Sequence, residues 1–92
     1  MAVFALCFLN SKMIRACHVE ALFEAVNKYE VKGLNLAFNH ELGDAGAEAI
    51  AAMLRTNRSL TLLWLQNNKI GDAGKKAVRD AVEGREGFKL EL

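Results

Sequence analysis

Ninety-two residues allow one domain with a modest hydrophobic core. Twelve basic residues against 11 acidic ones leave a net charge of +1, which gives no reason to expect nucleic acid or an anionic membrane as the main partner. Two cysteines, Cys7 and Cys17, imply no disulfide framework and make a reducing interior the default setting.

The chain opens on an apolar run, Ala-Val-Phe-Ala-Leu-Cys-Phe-Leu at residues 2–9, which resembles the apolar part of a signal peptide. It has no basic leader and is too short to span a membrane. A buried first strand is the preferred reading, because Val3, Leu6, Phe8, Ser11 and Ile14 lie 28 positions before Val31, Leu34, Leu36, Asn39 and Leu42. In that register Val3, Leu6 and Phe8 point inward, and Ser11 stands where the next copy has Asn. Ala21, Leu22, Ala25 and Val26 follow at the i, i+1, i+4, i+5 spacing of one helical face.

The second copy, from Val31, repeats the sequence of periods. Leu34-Asn35-Leu36 alternates as a strand does, and Ala49, Ile50, Met53 and Leu54 form the helical face. A third copy returns Val31, Leu34, Leu36 and Asn39 as Leu60, Leu63, Leu65 and Asn68, shifted by 29. Leu42-Gly43-Asp44-Ala45-Gly46 returns as Ile70-Gly71-Asp72-Ala73-Gly74, shifted by 28, and Ala77, Val78, Ala81 and Val82 supply the third helix. Asp44 and Asp72 stand where each helix begins and are expected to cap it. The paired glycines around them fit a positive-φ turn. Phe88, Leu90 and Leu92 alternate as a partial fourth strand. A period of this length predicts a stacked array: strand, turn and helix repeated head to tail, giving an α/β fold whose parallel sheet is covered by helices on one side. The units run approximately over residues 3–30, 31–59, 60–86 and 87–92 of a single domain, residues 1–92. Three repeats are near the minimum for a stable array, and no polar terminal unit is visible, so a fragment or a self-associating chain is expected.

Little in this pattern points to catalysis or metal binding. Gly71-Asp72-Ala73-Gly74-Lys75-Lys76 has two residues between its glycines where a phosphate-binding loop has four, and lacks the Ser or Thr after Lys. Cys7, Cys17, His18 and His40 match no zinc spacing, and neither Ser11 nor Ser59 has a recognisable His and acid relay. Lys75, Lys76 and Arg79 are followed by Asp80 and Glu83, as on a solvated helix surface. No cofactor and no metal are expected.

Read directly from Leu60 to Gly74, the chain spells Leu-x-x-Leu-x-Leu-x-x-Asn-x-Ile-Gly-Asp-x-Gly. This resembles the leucine-rich repeat family, in its ribonuclease-inhibitor-like subclass; Val31 to Gly46 fits with one extra residue, and the first copy fits through its apolar positions. The resemblance implies a right-handed horseshoe solenoid with the parallel sheet on its concave side and the helices on its convex side. It also implies a cytoplasmic, non-catalytic module that binds proteins. Asn57, before Arg58-Ser59-Leu60, agrees with the family's helix-to-strand turn and is given a local role.

Asn39 and Asn68 are read as structural, turned inward to satisfy backbone groups from one repeat to the next. Trp64, between two inward leucines, should face the open side of the sheet and is a candidate anchor for a partner protein. The alternative is that it packs on Leu62 and its neighbours with no partner. In the proposed register its lateral neighbours are Asn35 and Cys7, the next row holds Gln66, Ala37 and Leu9, and Phe38 and Asn67 flank the end. Trp64, Gln66, Asn35, Phe38 and Leu62 are the expected partner-binding residues. The runner-up is a self-assembling repeat fragment joined through its terminal strands. A third reading, regulation of a GTPase as by the Ran GTPase-activating proteins that share the subclass, rests on analogy of fold.

Overall fold

A computed structural model describes residues 6–92. The order of elements is β1 (Leu6–Phe8), α1 (Val19–Lys28) entered through a 3-10 turn at Ala16–His18, β2 (Gly33–Asn35), α2 (Gly43–Leu54), β3 (Leu62–Trp64), α3 (Asp72–Ala81) and β4 (Lys89–Glu91). All four strands are parallel and lie side by side in chain order. Leu34, Leu63 and the half-buried Cys7 and Leu90 share one face of the sheet with the buried residues of the three helices, in a single core. Each strand–helix unit therefore buries its apolar side against its neighbours, and the opposite face of the sheet stays open.

β2 and β3 end one residue before Leu36 and Leu65, yet both leucines remain buried. The first unit departs from the sequence expectation. Leu6 pairs with Gly33, Cys7 with Leu34 and Phe8 with Asn35, so its register is one residue away from the shift of 28. Such a slip exchanges the two faces of a strand. Cys7 and Leu9 accordingly face the core, Leu6 and Phe8 are exposed at 47% and 59%, and Lys12, not Ser11, stands opposite Asn39. The inward placement of Val3 lies outside the described residues. Helix α1 is also rotated: Val19, Phe23 and Val26 are buried, Leu22 is half-buried, and Ala21 and Ala25 face solvent.

The Asn reading holds at atomic level. Asn39 and Asn68 are 0% and 1% exposed. Asn68 Oδ1 accepts the Asn39 N–H at 2.5 Å, and its Nδ2 donates to the Leu36 and Leu65 carbonyls at 2.9 Å. Asn39 repeats the arrangement one unit earlier: Oδ1 accepts the N–H of Lys12 and Ile14 at 3.0 and 2.8 Å, and Nδ2 donates to the Leu9 and Leu36 carbonyls. Buried backbone groups released where the strands turn are thus satisfied across repeats.

Asn57 does more than its expected local role. Its Oδ1 accepts the Leu60 N–H at 2.9 Å while its Nδ2 reaches Asn27 Oδ1 at 2.5 Å, tying the helix-to-strand turns of adjacent units. The expectation for the aspartates is corrected. Neither caps its own helix through its side chain, and Asp44 Oδ1 instead accepts the Gly71 N–H of the next repeat at 2.6 Å. Of the paired glycines only Gly43 has positive φ, at 59°. Gly46 and Gly74 lie within helices, and a Cβ on Gly74 would come within 2.5 Å of Asp44 Oδ1 and 2.6 Å of Ile70 Cγ2. These two glycines serve close packing, and the positive φ values at the strand-to-helix turns are carried largely by Ser11, Met13, Phe38, Asn67 and Lys69.

Candidate functional site: the open face of the sheet

Parallel pairing aligns the outward side chains in two rows across the strands. One row is Leu6, Gly33, Leu62 and Lys89; the next is Phe8, Asn35, Trp64 and Glu91. Trp64 is half-buried between the fully buried Leu63 and Leu65, and its neighbour on β2 is Asn35. Because β1 is shifted, Phe8 takes the place in this row expected for Cys7. The same shift moves Leu9 to the core side, out of the row expected with Gln66 and Ala37.

The structure brings Asn35, Leu62 and Trp64 together. With Leu6, Phe8 and Gly33 they frame an apolar notch of about 60 Å³. Gly33 forms its floor because it has no side chain, and Leu6 leans across it closely enough that a Cβ there would collide with Leu6 Cδ2. Asn35 Oδ1 is committed to the Ala37 N–H at 3.0 Å, which fixes the amide along the strand. Gln66 lies beyond Trp64 on the same strand line, half-buried, and its Oε1 has no hydrogen-bond partner among the described residues.

Phe38 is not part of this notch. It occupies the turn after β2 with φ of 62°, is 51% exposed, and its ring centroid lies 6.4 Å from that of His40. Together with Ser11, Met13 and Glu41 these residues line a separate hollow. Leu6, Phe8, Gly33, Lys89 and Glu91 are members of the open face that the repeat pattern had not singled out. For Leu6 and Phe8 the signal required the one-residue shift of the first strand.

The charges nearest this face, Lys89 and Glu91, come from β4. Two further charged features belong to the scaffold. Lys76 Nζ donates to Asp80 Oδ2 at 2.8 Å, and that hydrogen bond, with the carboxylate's charge, raises the Lys76 pKa. Burial, helped by the nearby charge of Arg58, lowers that of Arg85. Among the described residues no group of three His, Cys, Asp or Glu side chains is placed to hold a metal ion, and no helix is long and apolar enough to cross a membrane.

A parallel sheet built from successive strand–turn–helix units defines an α/β repeat protein. The family described as Leucine Rich repeat matches residues 31–51 and 56–78, which contain β2 with most of α2 and β3 with most of α3. The match supports a leucine-rich repeat protein, and such repeats generally mediate protein–protein interaction without catalysis. No curated protein matches the chain at a significant level.

Proposed function

We propose that the chain is a non-catalytic protein-interaction module, a right-handed horseshoe of the ribonuclease-inhibitor-like subclass working in the cytoplasm, and that its partner binds the open face of the sheet. The observation that carries the reading is Trp64: a large amphipathic ring left half-exposed beside Leu62 and the Gly33 notch, on a rigid strand whose adjacent residues are buried. Asn35 and Gln66 extend that surface along and beyond the Trp64 row, while Phe38 offers a second exposed aromatic at the rim. Leu6 and Phe8 join the proposed binding face because the observed register presents them there.

The test is a comparison of immobilised native chain, Trp64→Ala and Glu48→Ala, the last on the exposed side of α2. A partner captured from a cytosolic extract and purified should lose at least about 2 kcal/mol of affinity for Trp64→Ala and none for Glu48→Ala. Equal binding to all three would place the partner elsewhere and end the open-face reading. A second reading, association of copies through an edge strand, draws on the exposure of Leu6 and Phe8 on β1.

A further inference from the structure

The ladder position of each strand-to-helix turn has one residue on either side: Ser11 and Met13 about Lys12, Phe38 and His40 about Asn39, Asn67 and Lys69 about Asn68. Ser11, Phe38 and Asn67, the first of each pair, all have left-handed backbone, with φ of 55°, 62° and 60°. A short polar side chain such as that of Asn67 tolerates this conformation, whereas a bulky one is costly there. Met13 adds a second long apolar side chain in the same region, at φ of 58°. Burial returns little for either, since Phe38 is 51% and Met13 73% exposed. Asn67 and Lys69 serve the fold at the same two positions of the third turn, so the Phe38 ring and the Met13 thioether call for a reason outside the fold.

Both side chains border one hollow of about 400 Å³ between the first and second turns, lined also by Ser11, His40 and Glu41. The Phe38 and His40 ring centroids stand 6.4 Å apart with the planes at 53°, and both residues are exposed, so the pair offers aromatic surface to a third ring. A thioether such as that of Met13 is a further favourable neighbour for such a ring. Glu41 brings a carboxylate, which accepts hydrogen bonds and donates none. We propose that this hollow takes the side chain of a Tyr in an acidic segment of a partner polypeptide, with the ring against Phe38, His40 and Met13 and the O–H donated to Glu41. The assignment rests on the reading of the chain as a protein-interaction module and gives the rim a site of its own beside the Trp64 face.

The polar edge of the hollow selects the occupant. A Phe side chain would fill the same space but bring Glu41 no donor. An Arg would stack on Phe38 and bond to Glu41, yet Arg15 Nε already lies 3.8 Å from that carboxylate and Lys12 stands between the lining residues Ser11 and Met13, so a further cation meets a basic setting. The Arg15–Glu41 contact joins side chains that are each 57% exposed, and such a pair holds its carboxylate only weakly. Lys12 forms no ion pair among the described residues, so acidic residues beside the Tyr meet complementary charge. A second copy of this chain is a poor occupant. Its one tyrosine, Tyr29, has Lys28 Nζ 5.4 Å from the ring centroid, which would carry positive charge toward Lys12 and Arg15.

The ¹⁵N-labelled chain is titrated with the blocked pentapeptide Glu-Gly-Tyr-Gly-Glu and with versions carrying Phe or Arg at the centre. The Tyr peptide should give saturable shifts at the Met13, Phe38, His40 and Glu41 amides. The Phe peptide should bind about tenfold more weakly, the loss expected from one hydrogen bond to a charged acceptor, and the Arg peptide no better than the Phe peptide. Glu41→Ala should bring the Tyr peptide down to the level of the Phe peptide. Phe38→Asn matches the residue that the third turn has at this position, Asn67, and should abolish binding without lowering the unfolding midpoint. The peptides probe the rim alone, so the outcome stands whether or not Trp64→Ala weakens a partner on the open face. Absence of the shifts, a Phe or Arg peptide that binds as tightly as the Tyr peptide, an unaltered preference for Tyr in Glu41→Ala, or a Phe38→Asn chain that still binds or that unfolds earlier overturns the proposal.

Discussion

A single carboxamide, Asn68, satisfies groups in two successive turns. It accepts one N–H and donates to two carbonyls, and the side chain that makes these bonds belongs to a residue only 1% exposed. Asn68→Leu keeps approximate bulk but leaves these groups unmatched, so a loss of about 1–3 kcal/mol is expected for each buried group left unsatisfied. Chemical denaturation of the variant measures it; unchanged stability would contradict the ladder. Trp64 and Leu65 are adjacent in sequence and opposite in role. Leu65→Ala removes a fully buried side chain and should cost about 2–5 kcal/mol. Trp64→Ala, on the open face, should change the unfolding midpoint much less than Leu65→Ala. An equal loss for both would mean that the indole belongs to the core.

Between elements the contact of α2 with α3 is close enough to require a glycine. Gly74 allows it, since a Cβ there would lie 2.5 Å from Asp44 Oδ1, 2.6 Å from Ile70 Cγ2 and 3.1 Å from the Ala47 Cβ. Gly74→Ala should therefore destabilise by about 1–3 kcal/mol despite the better helix propensity of Ala. A rise in melting temperature would show that the helices can part freely. Arg85 fastens the next junction, donating to the Leu54 carbonyl at the end of α2 and to the Leu60 carbonyl before β3, with its guanidinium 4.9 Å from the Phe88 ring centroid. Arg85→Met keeps the stem but strands two carbonyls, so differential denaturation should show a loss of about 1–3 kcal/mol. The elements whose repeats carry polar punctuation were legible in sequence: Leu34, Leu63, Ile50 and Leu54 face inward as their spacing requires, and both ladder asparagines are buried. The first strand was not legible to the residue. Leu6, Cys7, Phe8 and Leu9 are all apolar, so alternation carries no information about parity there, and only pairing with β2 decides it. Likewise Asp44 resembles a cap because it stands at a helix start, while its actual acceptor role depends on a backbone N–H in the following repeat. The open-face site inherits this division: Trp64 followed from local alternation, and Phe8 required the register.

Across the whole molecule, stability is distributed over interfaces between neighbouring units, and the two edges of the described sheet are unlike. β4 carries Lys89 and Glu91 outward and keeps Leu90 half-buried beneath, so it already has the charges by which an edge strand resists pairing. Phe88, Leu90 and Leu92, the alternating apolar residues of this end, are all half-buried against the core. β1 instead shows Leu6 and Phe8 to solvent, and the exposed Met13 and Phe38 lie around the turns that follow β1 and β2. If copies of the chain associate through an edge, the apolar asymmetry favours β1 against β1, an isologous contact that closes as a dimer, over β4 against β1, which would continue indefinitely. Sedimentation equilibrium of the native chain should then fit a monomer–dimer equilibrium with no larger species. Phe8→Lys should shift it toward monomer with no loss of thermal stability, since Phe8 lies outside the core. Leu90→Lys should instead lower stability by placing a charge against the core. A chain that stays monomeric throughout, or polymers that grow with concentration, would reject pairing through β1 and leave Leu6 and Phe8 to the partner of the open face.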